Sequence, residues 1–68
     1  MNTYERNLKR LKDAAKLLAL ADSSGTLVDR NIVNPLATTR DLVRASSVCL
    51  RFAIDNQEKY LASRRERE

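Results

Sequence analysis

Histidine is absent from the chain, which removes the side chain most often used as a general base and a common zinc ligand. The single cysteine, Cys49, excludes an intrachain disulfide and cannot by itself assemble a thiolate metal site. One glycine and one proline are too few for the many turns of a β-sandwich or barrel. Gly25 stands alone, so there is no phosphate-cradling glycine loop. Asp13, Asp22, Asp29, Asp41 and Asp55 are scattered, with no pair at metal or acid–base spacing. Cys49 has Arg51 nearby but no neighbouring base, and its apolar surroundings suit a small packing residue. An enzyme is therefore not expected, and neither is a metal or other cofactor.

Long apolar runs are also missing. The longest, LLALA at 17–21, is far too short to cross a bilayer. The start, MNTYERNLKRLKD, lacks the apolar centre of a signal peptide, so the expected location is cytoplasmic. The helical stripes contain no Trp or Phe and are needed for a core, which argues against a membrane partner.

What remains is a chain of helix formers, 43% apolar and 32% charged, too apolar for a disordered tail. At 68 residues it is a single domain, residues 1–68, of a size that buries only about 60% of its unfolded surface. Such chains need outside support. With disulfides and metals excluded, oligomerisation is the expected form of it.

The first helix is expected over about 3–22, capped by Asn2 or Thr3, with Glu5 placed favourably for the helix dipole. Tyr4, Leu8, Leu11, Ala15 and Leu18 fall within an arc of about 80°, and Lys9, Lys12, Asp13 and Lys16 lie opposite. Leu17 and Leu20 leave this stripe. Asp22-Ser23-Ser24-Gly25 is a stop signal, with Gly25 suited to the left-handed conformation after the helix.

Residues 26–33 read as a short helix or ordered turn packed over Leu17 and Leu20. Thr26 and Asp29 resemble a weak capping box, and Leu27, Val28, Ile32 and Val33 have helical spacing. A β-strand is the rival reading, but it has no second strand to pair with. Two start signals follow, Asn34-Pro35 and Thr38 with Asp41, so a long helix is expected from about 35 to 64, with a frayed tail at 65–68. Leu36, Val43, Leu50, Ile54 and Leu61 form its seam, widened on one flank by Leu42, Ser46, Ala53, Gln57 and Tyr60. The expected fold is all-α: an antiparallel hairpin of two long helices with a short helical connector, dimerising into a four-helix bundle. Its core or dimer seam is Leu8, Leu11, Leu18, Leu36, Val43, Leu50, Ile54 and Leu61.

Val48 and Phe52 lie opposite that seam. With Ala45 and Cys49 they form a compact apolar patch bordered by Arg44, Arg51 and Asp55, the apolar centre and charged rim of a protein-binding surface. Arg44, Val48, Arg51 and Phe52 are accordingly the candidate partner-binding residues. From sequence the patch can serve a homodimer, a foreign protein, or packing against the chain's own connector.

The net charge of +4 makes nucleic acid the alternative partner. Arg6, Lys9, Arg10 and Lys16 offer a basic face on the first helix, and Arg40, Arg44 and Arg51 another on the second. TTRDLVRASSVCLRFAID suggests a helix-turn-helix, but a serine replaces the turn glycine and the seam runs through without a phase break. The plan is similar in architecture to the small dimeric hairpin protein that binds plasmid RNA loops. In length, helix count and charge mix it also resembles small helical proteins of phages and mobile elements. That resemblance implies a regulator, inhibitor or adaptor that binds and blocks a host regulator.

Overall fold

In the computed structural model the backbone is described for residues 2–67 and the side chains as far as Arg64. Two antiparallel helices, α1 (Thr3–Ser23) and α2 (Thr39–Arg67), pack against each other, joined by a connector at 24–38. There is no strand among the described residues.

Asn2 is the N-cap of α1. Its side-chain Oδ1 accepts from the Glu5 amide at 2.8 Å and its carbonyl accepts from the Arg6 amide at 3.0 Å. At the other end the Ser23 hydroxyl donates to the Leu20 carbonyl at 3.0 Å and the Ser24 hydroxyl to that of Ala21 at 2.6 Å, carbonyls that also accept from the Ser24 amide. Gly25 then turns the chain with φ of 73°. A Cβ there would meet no atom, so the requirement for glycine is one of backbone conformation alone.

Of the two start signals before α2, the second operates. The Asp41 amide donates to the Thr38 hydroxyl at 3.1 Å and the Thr38 amide to the Asp41 carboxylate at 3.3 Å, a reciprocal capping box. Asn34-Pro35 instead makes a tight turn in which Asn34 Oδ1 accepts from the Leu36 amide at 2.9 Å. Leu36 consequently lies outside the helix and is 91% exposed, so its assignment to the seam is corrected. Thr38→Ala should lower stability by about 1 kcal/mol, read from the urea midpoint, because it removes the cap oxygen while leaving the seam intact.

The connector is not helical, so of the two readings of 26–33, short helix or ordered turn, the helix does not form. The Thr26 hydroxyl pairs with that of Ser24 at 2.8 Å, and Asp29 pairs with Arg40 at 3.6 Å, so the supposed capping box is dismantled from both ends. The Arg40 amide to Val28 carbonyl bond at 3.3 Å and the Asn31 side-chain bond to the Pro35 carbonyl at 3.2 Å hold an irregular path instead. A one- or two-turn helix rich in β-branched residues cannot repay its own nucleation without tertiary cover. That cover is missing, since Leu17 and Leu20 remain about two-thirds exposed. At its other end α2 continues through Arg67, so the tail expected to fray at 65–68 is helical over 65–67, and Glu68 lies outside the described residues.

Cross-helix bonds set the register: Asp22 with Arg44 at 3.4 Å, Lys12 with Glu58 at 3.0 Å, and the Gln57 side-chain amide to the Tyr4 carbonyl at 3.1 Å. Leu8, Leu11, Ala15, Leu18, Val43, Leu50 and Ile54 are all half-buried. Leu61, at 6% exposure, is the only buried residue among those described. The seam residues other than Leu36 are therefore used within one chain to pair its two helices.

The open end of the hairpin is clasped by an aromatic cluster. The Tyr4 and Tyr60 rings stand 5.2 Å apart at 48°, and the Arg64 guanidinium lies 5.0 Å from the centre of one and 5.9 Å from the other. An aromatic pair contributes about 0.5–1.5 kcal/mol and an exposed cation–π contact about 0.5–1. Tyr60→Ala should accordingly cost about 1–2 kcal/mol, with the loss visible first as faster amide exchange at the N-terminal turns of α1. Exchange that is unchanged there would show that the cluster is not a clasp.

Candidate protein-binding surface

The hairpin measures 50 × 21 × 15 Å, a plate one helix thick with two broad faces. Helical periodicity and the cross-helix bonds assign residues to each face.

One face carries Lys12 from α1 and Arg44, Val48, Arg51, Asp55 and Glu58 from α2, with Phe52 at its outer edge, opposite the seam. Phe52 is 67% exposed and Val48 about half exposed, so the patch is largely open in the single chain. Phe52 borders a shallow depression lined also by Arg51, Ile54, Asp55 and Glu58. Its charged rim is largely paired already: Lys12 with Glu58, Lys59 with Asp55 at 3.1 Å, and Arg44 with Asp22. Among the four candidate partner-binding residues, Val48, Arg51 and Phe52 share this open surface. Arg44 is turned toward the end of α1, where it ties the two helices together while its side chain stays 61% exposed.

The side of α2 next to the Val48–Phe52 pair is built differently, with Ala45 and Cys49 adjoining Phe52 along the helix. Leu42, Ala45, Ser46, Cys49, Leu50 and Ala53 line a shallow groove of mostly small side chains, and none of them is charged. Cys49 is a free, exposed thiol. Leu42 also lines a second hollow with Val28, Arg30, Ile32, Val33, Asn34, Ala37 and Thr39, so the groove adjoins a mixed polar and apolar surface of the connector. Ile32 is 71% and Val33 92% exposed. Sequence reasoning treated Ile32 and Val33 as inward-facing and missed this surface. The available signal was β-branched residues in a segment with neither a partner strand nor a firm helix cap.

The helix-turn-helix reading fails on the structure, because α2 runs unbroken through residues 46–48. Ser46 and Ser47 donate their hydroxyls to the Leu42 and Val43 carbonyls at 2.8 and 3.0 Å, which keeps them within the helix. Arg6, Lys9, Arg10 and Lys16 spread over the outer side of α1 with Asp13 among them. Arg10 donates to Asn7 at 3.2 Å, and Lys9 and Lys16 make no ion pair among the described residues.

Comparison of the chain with protein-family models, curated proteins and solved structures finds no match.

No group of three or more metal-ligating side chains occurs among the described residues. No described helix is long and apolar enough to cross a membrane. The surface offers one exposed aromatic side chain in a charged surround and, beside it, an uncharged groove of mostly small side chains.

Proposed function

We propose that the chain is a non-enzymatic regulator, inhibitor or adaptor that acts as a homodimer through protein–protein contacts, with Phe52 as the anchor for a target protein. The observation that carries this reading is the exposure of Phe52 beside Val48, on a helix whose seam is already occupied by α1. A lone large aromatic within a charged rim is the composition of an interface hot spot. Helix-in-groove recognition uses such a rigid face, with anchors one turn apart as Val48 and Phe52 are. The resemblance in size and charge mix to phage and mobile-element proteins suggests that the target is a host regulator that the chain blocks.

The test is capture from source-cell extract with wild-type and Phe52→Ala baits at equal concentration. A specific partner held by the wild type and lost from the variant is expected. Equal recovery by both baits would remove Phe52 from the contact. The alternative, a nucleic-acid regulator, is supported by Lys9 and Lys16 on the outer side of α1, which make no ion pair among the described residues. It requires affinity for mixed RNA or DNA that falls steeply between 50 and 200 mM salt.

A further inference from the structure

The chain leaves more surface in water than a finished monomer of its size. It exposes 5548 Å², whereas a compact monomer of 7.8 kDa exposes about 4,400 Å². The excess, about 1,200 Å², exceeds the roughly 800 Å² that each partner contributes to a standard interface. On the flank of α2 beside Phe52, part of this surface has a shape that a particular kind of partner fits.

Leu42, Ala45, Ser46, Cys49, Leu50 and Ala53 line the groove there. Their spacing makes two successive diamonds of the i, i+3, i+4, i+7 kind. One is Leu42, Ala45, Ser46 and Cys49, and the next is Ser46, Cys49, Leu50 and Ala53. Such a diamond is the hole that receives one side chain of a packed helix. The two lie one turn apart, so they take side chains that are also one turn apart. Ala45, Ser46, Cys49 and Ala53 are small, which lets a neighbouring backbone come close and leaves room for bulky knobs. Phe52, 67% exposed, adjoins Ala45 and Cys49 and stands at the outer edge of the groove.

The chemistry of the groove selects its occupant. Strand addition needs a sheet edge, and there is no strand among the described residues. A polyproline segment docks on aromatic side chains, and none of the six lining residues is aromatic. A phosphorylated or acidic segment needs clustered arginines, and none of the six is charged. Ser46 already donates to the Leu42 carbonyl at 2.8 Å, so the floor offers no strong donor to the backbone of an extended chain. A helix arrives with its backbone already paired. We infer that an α-helix of the target protein packs along this groove as a third helix, with bulky apolar side chains one turn apart seated in the two diamonds. Phe52 reaches the target beside it. This inference rests on the reading that the chain works through protein contacts, and it names the element of the target that is held.

A displayed library of single helices about 20 residues long, varied at their apolar positions, is panned against the full wild-type chain. Helices with bulky apolar residues one turn apart are expected to be enriched. Bound to the chain, they should gain helicity in circular dichroism and slow the alkylation of Cys49 by iodoacetamide. Ala45→Glu and Cys49→Glu alter side chains exposed in the single chain, so they spare its intrachain seam, and unchanged melting checks this. Each is expected to weaken the selected helices by at least about 30-fold, because a carboxylate would be buried without a partner. Leu20→Glu puts the same charge on the outer side of α1 and is expected to bind like wild type. Enrichment of no helix, or equal binding by Cys49→Glu and wild type, would overturn the inference. So would a wild-type dimer that Cys49→Glu dissociates in sedimentation, since a second copy would then hold the groove. In capture from extract, a partner lost by Phe52→Ala but kept by Cys49→Glu ends this inference and leaves the functional reading standing. A wild type that captures no partner ends that reading, while the library still decides the groove.

Discussion

Leu61→Ala is expected to remove about 2–4 kcal/mol of stability and to lower the Tm by about 10–25 °C in circular-dichroism melts. Leu61 is the one buried residue among those described, towards the end of the hairpin where Tyr4 and Tyr60 meet. Truncation there loses the transfer free energy of the removed carbons. It also opens a void that two nearly straight helices cannot collapse to fill without disturbing the Gln57–Tyr4 and Lys12–Glu58 bonds. A chain of this length has about 3–10 kcal/mol in total, so the substitution takes a large share of it. Leu20→Ala is the matched control: the same atoms are removed from a position already two-thirds exposed, and a change within about 0.5 kcal/mol is expected. Equal losses from the two variants would show that the seam around Leu61 is not where this protein holds its stability.

Phe52→Ala should leave helicity and melting nearly unchanged while weakening target binding by at least about 30-fold, or about 2 kcal/mol. The separation follows from geometry. Phe52 is largely open in the single chain, so its removal costs the fold little, whereas seating it in a partner's pocket would bury most of its ring. The surrounding charges should behave differently. Lys59 is paired with Asp55 in the open, and Lys59→Ala should shift affinity by less than about 1 kcal/mol, acting mainly through the association rate and its salt dependence. Calorimetric titration of both variants against the captured target makes the comparison. A Phe52→Ala variant that binds as tightly as wild type, with Lys59→Ala the weaker of the two, would make the surface an electrostatic one and would revive the basic faces as the functional feature.

Much of the architecture was legible in the residues because it follows from local rules. Asn2 as a cap, Gly25 as a stop and the Thr38–Asp41 box each depend on a few adjacent side chains and their own backbone. The stripes from Leu8 to Leu18 and from Val43 to Leu61 follow from 3.6-residue periodicity, and the antiparallel pairing follows from having two such stripes and one connection. The exposed Val48–Phe52 pair was equally legible, because it lies out of phase with its own seam.

The connector and the interface at the open end were not legible in this way. Two start signals compete before α2, and choosing between them depends on whether Leu36 finds cover on α1, which it does not. Residues 26–33 have helical spacing, yet a short segment becomes helical only when something packs on it, and their bonds go to Ser24, Pro35 and Arg40 instead. The grouping of Tyr4, Tyr60 and Arg64 depends on the register between helices far apart in sequence.

The sequence by itself determined two amphipathic helices, where each is capped, and that their stripes must meet. Only the tertiary structure decided that the connector stays irregular, that Ile32 and Val33 are left exposed along it, and that Leu61 alone among the described residues is buried. Periodicity and caps are properties of a few consecutive residues, whereas a loop's path and a surface's continuity depend on which distant segments reach contact distance.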